Sequence, residues 1–258
     1  MPAELALHAV SIALVGSIAL VLAGAAVQVA VGAGLSVICG PFLLLWLGSA
    51  VGVPILLCLN LLVSVVATLC GGAGVRWGDV ALASGATLAG CILASVLPPL
   101  PDAVLKAMTA CVLVIIALPR PPASGYPHST VSIRAGVSLA GLVTGALTVW
   151  TATPGPIIPV AFTRAGRAGS DIRRSMQPIS VVGYGAALAW IEAPPIGTFR
   201  TGVFACLIGA VLAGTGLGFR LRRTIDPARV VLLVRVVAGT AAGATHEILQ
   251  RVRRACSR

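Results

Sequence analysis

The chain has 258 residues, 58% of them hydrophobic and 10% charged, with a formal net charge of +11 and a mean hydropathy of +1.03. A water-soluble domain of ordinary make-up is about 45–50% apolar and about 25% charged, so seven acids and eighteen bases are too few to coat a surface facing water. This excludes a soluble globular domain, a disordered chain and a collagen, and predicts an all-α, polytopic transmembrane helical bundle.

From Leu5 to Val75 the sequence holds no Asp, Glu, Lys or Arg. One crossing of the hydrocarbon core takes about 20 apolar residues, so this stretch has room for three. Glu4 and His8 stand where a signal peptide has its basic region, and hydrophobicity runs on without a cleavage-like break, so no removable leader is expected. Gly32-Ala33-Gly34 and the segment from Gly48 to Pro54 interrupt the stretch, predicting helices at about 8–31, 35–47 and 53–71. Two more are expected at about 79–98 and 102–118. A segment rich in Pro, Gly and Ser, Arg120 to Thr130, then divides the chain near its midpoint. Beyond it lie helices at about 134–152, a Pro-broken piece from Pro154 to Phe162, and helices at about 176–193, 200–218 and 229–247. Polarity does not alternate along any of these, which sets aside an outer-membrane barrel. Seven scattered cysteines without a CxxC pair show no disulfide framework and read as small packing residues.

The predicted organisation is an N-terminal transmembrane repeat over 1–119, a polar linker over 120–133, a C-terminal transmembrane repeat over 134–248 and a basic tail over 249–258. Ala23-Gly24 with Gly40-Pro41 answers Ala140-Gly141 with the break from Pro156 to Pro159. The run from Gly52 to Ser64, holding Asn60, lies against Ser170 to Val182, holding Gln177, at nearly the same offset. Five crossings per half is an odd number, so the halves are expected to be inverted repeats with broken or re-entrant helices. About 8–10 spans fit the chain. With ten, Arg76, Arg120, Arg134, Arg164, Arg167, Arg173, Arg174, Arg220, Arg222, Arg223 and Arg229 fall on one side. Lys106, Arg200 and the tail residues Arg251, Arg253, Arg254 and Arg258 fall on the other. Bases in short loops stay cytoplasmic, which places the richer side inside and the N-terminus outside. The tail then falls outside; if one broken segment is re-entrant, the count is nine.

The bases are spread over short interhelical loops with no folded module carrying aromatic residues beside them, so no nucleic-acid partner is expected. They read as topology signals and contacts to anionic lipid. No Asp or Glu lies deep in a predicted span, and His8, His128 and His246 are too far apart to hold a metal together. GxSxG, HExxH, a Walker loop and a carboxylate pair are all missing. No cofactor, no metal and no enzymatic activity are expected. Arg235, six residues from Arg229, reads as a side chain snorkelling to the interface.

Neutral polar residues remain. Gln28, Ser36, Asn60, Ser64, Thr151, Thr153, Gln177, Ser180 and Tyr184 stand near predicted breaks or at mid-span. Each alone reads as a hydrogen bond to a neighbouring helix. Their placement adds weight: Gln28 precedes Gly32-Ala33-Gly34, and Thr151-Ala152-Thr153 precedes Pro154-Gly155-Pro156. Broken helices present N-terminal N–H groups and the positive end of the helix dipole, which favour an anion. The predicted substrate-binding set is Gln28, Gly32, Gly34, Ser36, Asn60, Thr151, Thr153, Gln177 and Ser180, with Gln28, Asn60 and Gln177 lining the pathway of a small oxyanion.

The Gly/Pro-interrupted helix pairs at 24–48 and 141–163 are each followed by a polar-bearing helix, Val53 to Val66 and Asp171 to Tyr184. With the loop Val75-Arg76-Trp77-Gly78-Asp79 entering the next span, they resemble the TauE/SafE family of sulfite exporters over about residues 10–245. The glycine-rich run of that family's first break is here Gly32-Ala33-Gly34, and in the second half Thr151-Ala152-Thr153-Pro154-Gly155 takes its place. The resemblance implies multi-pass transport of sulfite, an organosulfonate or a related sulfur anion across the cytoplasmic membrane. A negative-inside potential favours anion exit by about 2.3 kcal/mol per charge per 100 mV, so outward movement needs no buried proton carrier. The expected partners are the small anion and the lipid bilayer, and a homo-oligomer is compatible with the reading. The competing reading is a non-transporting membrane scaffold or assembly factor, since helix packing alone also calls for Gly-rich spans.

Overall fold

A computed structural model describes residues 2–71, 74–98, 130–152, 157–167, 169–191 and 201–224, with isolated positions between 100 and 111. Its helices are α1 (Pro2–Val31), α2 (Leu35–Leu47), α3 (Ser49–Cys70), α4 (Trp77–Val96), α5 (Thr130–Thr151), α6 (Ile157–Arg164), α7 (Gly169–Trp190) and α8 (Thr201–Thr224). No strand occurs among the described residues. Most of the predicted helix at 102–118, linker residues 120–129, the predicted helix at 229–247, Arg235 and the basic tail lie outside them.

Five stretches are long and apolar enough to cross a membrane: Leu14–Val31, Ala50–Cys70, Trp77–Val96, Thr130–Thr151 and Gly202–Arg222. The chain thus has the character of a multi-pass helical membrane protein. At a rise of about 1.5 Å per residue, the 13 residues of α2 and the 8 of α6 are too short for the roughly 30 Å core. Neither is a full crossing.

Several helices depart from their predicted bounds: α1 starts at Pro2 and α5 at Thr130, each ahead of the expected residue. α7 begins at Gly169, not near residue 176, because Asp171 in its first turn suits the positive dipole end and lets the helix extend beyond its apolar part. α8 runs on past residue 218 through Arg220, Arg222 and Arg223. Arginine is a good helix former, and cations are favoured at a helix C-terminus. α3 also starts earlier, at Ser49, and accommodates Pro54 inside it.

The close approaches of glycine fix the packing. Gly141 and Gly145 of α5 lie against the backbone of Ala83 and Thr87 of α4, in the same order along both chains, so α4 and α5 are parallel. Gly214 and Gly218 of α8 lie likewise against Leu22 and Ala26 of α1, so α1 and α8 are parallel. A side chain at these positions would collide with backbone, the signature of helices held by close contact of small residues. α2 folds back along α1: a Cβ on Gly24 would meet Leu35, and one on Gly16 would meet Phe42. One core cluster joins α1, α2 and α3 through residues such as Val21, Leu35, Leu56 and Leu59, closed by Tyr184 of α7 and Val211 of α8. A second, with Ala83, Ala140, Phe162 and Ile179, joins α4, α5, α6 and α7. Arginines gather at one end. Asp79 bridges Arg76 at 3.0 Å and Arg167 at 2.9 Å, and Arg173, Arg174 and Arg222 line one cavity.

Candidate functional site: two helix breaks meeting in the interior

α1 ends where Gly32 takes φ +104, a backbone conformation glycine adopts freely and other residues rarely. At Gly34 a Cβ would lie 2.7 Å from Val27 Cγ1, so only glycine lets α2 start this close to α1. The freed backbone groups must find partners where no water is available, and Gln28 provides several. Its Oε1 accepts the Leu35 N–H at 3.1 Å, capping α2. Its Nε2 donates to Ser64 Oγ at 3.3 Å. Its carbonyl accepts from Gly32 N–H at 2.7 Å and from Gln177 Nε2 at 3.2 Å. The first N–H of α2, expected to face an anion, is therefore held by a side chain of the preceding helix.

The second break lies directly opposite. After α5, Ala152 takes φ 52, the one non-glycine residue with positive φ among those described, and it is fully buried. Its carbonyl accepts the Ser36 hydroxyl at 2.7 Å across 116 residues of sequence. Ser36 Oγ in turn accepts Asn60 Nδ2 at 2.8 Å, and the Tyr184 hydroxyl is within hydrogen-bonding reach of it. Asn60, fully buried, also donates Nδ2 to the Leu56 carbonyl at 2.7 Å. Thus Ser36 joins the two breaks, and Asn60 holds Ser36.

Two amide oxygens here accept nothing from the protein, Asn60 Oδ1 and Gln177 Oε1. Both amides are oriented by a nitrogen that faces a carbonyl, which has no proton to give. The unfilled capacity in the centre is thus for a donor.

Of the predicted set, Gln28, Gly32, Gly34, Ser36, Asn60 and Gln177 come together at these breaks. Thr151 is buried beside them, but its hydroxyl donates to Leu147 O of its own helix at 2.8 Å. Ser180 stands one turn from Tyr184, against a cavity of about 10 Å³ that Thr87, Thr144 and Thr148 also line, room for about one water. Thr153 lies outside the described residues. The threonines of that cavity were not singled out in the sequence. Thr144 and Thr148, four apart on α5 with Thr148 Oγ1 donating to Thr144 O at 2.7 Å, carried the one usable signal, polar residues at helical spacing in an apolar run. Cys39 and Cys91 behave as packing groups, Cys39 Sγ donating to Leu35 O at 2.9 Å and Cys91 Sγ sitting 3.4 Å from Gly145 O at the junction of α4, α5 and α7, whereas Cys70, Cys111 and Cys206 are exposed.

Arg173 completes the end of the first break. Its Nη1 donates to Ala30 O at 3.3 Å, a cation on the carbonyl end of α1, where the dipole favours it. From there polar groups follow one another inward at about one-turn steps: Arg173 on α1, Gln177 on Gln28, Gln28 on Ser64, and one turn along α3, Asn60 on Ser36 and the second break.

No protein family, curated protein or solved structure matches the chain. What fold and site define is a class: a multi-pass helical membrane protein with two interrupted helices facing one another across a buried, uncharged polar centre.

Proposed function

We propose that this chain carries a small oxyanion, a sulfite, an organosulfonate or a related sulfur anion, outward across the cytoplasmic membrane, as a member of the TauE/SafE family. The observation that carries the reading is the bond between the two breaks, Ser36 to Ala152, with Asn60, Gln28 and Gln177 around it. Discontinuous helices that meet within the membrane are the usual place for a substrate in secondary transporters.

The halves act as inverted repeats in this reading. The first helix of each half, α1 or α5, pairs in parallel with the fourth helix of the other, α8 or α4, and each first helix ends in a left-handed residue, Gly32 or Ala152. The arginine-rich end is the cytoplasmic one, by the bias of basic residues to that side. With the centre filled by its own hydrogen bonds, the chain is in a closed conformation, and passage requires the Gln177–Gln28 and Ser36–Ala152 contacts to exchange for contacts with the anion. The free amide oxygens favour a protonated oxyanion such as hydrogen sulfite over a bare dianion, because the acid O–H can donate to Asn60 Oδ1 or Gln177 Oε1. No proton carrier or catalytic group is assigned.

The scaffold reading draws on the same bonds, since Gln28 satisfies backbone groups whether or not anything is transported. Vesicles containing the purified chain separate the two. Saturable movement of labelled sulfite or a small organosulfonate that reverses with the sign of an imposed potential is expected; no movement of either would favour the scaffold.

A further inference from the structure

One face of α7 grips the first break at three levels. Arg173 donates to Ala30 O, Gln177 donates to Gln28 O, and Tyr184 reaches Ser36. Helical periodicity puts these three residues on the same side of α7. The innermost contact differs from the others, because Ser36 is the residue that ties the two breaks together. A serine hydroxyl has one proton to give and two lone pairs to offer. The Ser36 proton goes to Ala152 O at 2.7 Å, and Asn60 Nδ2 donates to one lone pair at 2.8 Å. The Tyr184 hydroxyl, within reach of the same oxygen, takes the second. Neither donor is loose: Asn60 Nδ2 is also anchored on Leu56 O at 2.7 Å, and Tyr184, 3% exposed, is packed into the core that joins α1, α2 and α3.

With both lone pairs occupied, the Ser36 hydroxyl cannot turn away from Ala152 without giving one of them up. We propose that Tyr184 is a positioning residue whose hydroxyl locks the Ser36 proton onto the Ala152 carbonyl and so holds the closed conformation shut. The inference rests on the transport reading, in which passage exchanges the Ser36–Ala152 bond for a bond to the anion, and it names the residue that restrains this exchange. Phenylalanine at position 184 keeps the ring and frees a lone pair on Ser36, so the hydroxyl can turn to a guest at lower cost. A protein whose binding-competent state is scarce binds its ligand more weakly in proportion. Weakening the lock therefore tightens apparent binding of the anion. A tyrosine that only fills space would leave binding unchanged, and one that touched the anion would weaken it when lost.

The test is Tyr184→Phe in the full chain, read by hydrogen exchange of peptides that include Ala152 and by flux of labelled sulfite into vesicles. Exchange at the second break is expected to rise severalfold while the first break, capped by Gln28, changes less. The half-saturating sulfite concentration is expected to fall by about fivefold, the factor that one hydrogen bond is worth, with maximal flux no lower than in wild type. On a Ser36→Ala background, Tyr184→Phe should loosen the second break no further, because the bond it removes is already gone. Additive loosening in the double variant, exchange equal to wild type in the single one, or a half-saturating concentration that stays the same or rises would overturn the proposal. Because exchange is read without flux, a wild-type chain that moves no sulfite sinks the transport reading alone, and the exchange comparison still decides whether Tyr184 holds Ser36 on the second break.

Discussion

The chain interrupts a helix twice in its interior, and the two interruptions are built from different materials. At the first, Gly32 takes the left-handed conformation at no steric cost, Gly34 allows α2 to touch Val27, and Gln28 reaches forward to cap α2. At the second, an alanine takes the left-handed conformation, which costs about 1 kcal/mol or more, and its carbonyl is held by Ser36, a residue of the first break. The first break is capped from within by Gln28 and braced by Gln177 and Arg173 of α7, whereas the Ala152 carbonyl at the second is held by a residue of the first. Strain of this kind persists where surrounding contacts over-determine it, and it collects at places that bind or move.

Four substitutions probe this asymmetry. Gly34→Val should have the largest effect, since even a Cβ would meet Val27 and the Gln28 nitrogen; a loss of about 3 kcal/mol is expected from overpacking, read as a collapsed thermal transition in detergent. Ser36→Ala comes next. It strands the Ala152 carbonyl and one proton of Asn60 Nδ2, which should cost about 1–3 kcal/mol, and the second break should loosen more than the first by hydrogen exchange. Equal protection at both breaks would mean that the second does not lean on the first. The smallest effect belongs to Ala152→Gly, which relieves the left-handed strain and should raise stability by up to about 1 kcal/mol, whereas Gly32→Ala, at φ +104, should lower it.

Much of this arrangement is legible in the sequence, and the reasons are local. Long uncharged runs locate the crossing helices because lipid tolerates little else, and Gly32-Ala33-Gly34 locates the first break because glycine is where a helix inside the membrane is free to end. Gln28, Ser36 and Asn60 stand out because an amide or hydroxyl in an apolar run must have a partner. The rest depends on distant residues. Nothing in the alanine at 152 advertises a left-handed backbone, or that its carbonyl meets a serine 116 positions earlier. The polar segment from Gly169 to Arg174 reads as a loop, and only as the first turns of α7 does it set Arg173 one turn above Gln177. Arg222 joins Arg173 because α8 lies beside α1; the spacing of four between Gly214 and Gly218 marks a close-packing face in the sequence, but not which helix packs on it.

The central claim, that an anion passes through the polar groups where the breaks meet, is tested most directly by potential-driven flux of labelled sulfite into vesicles, wild type against the triple variant Gln28→Ala, Asn60→Ala, Gln177→Ala at equal protein level. The account predicts that flux falls to the background of empty vesicles while the protein still inserts and purifies as a single species. Flux equal to wild type would contradict it and leave the three amides as bonds that hold helices together.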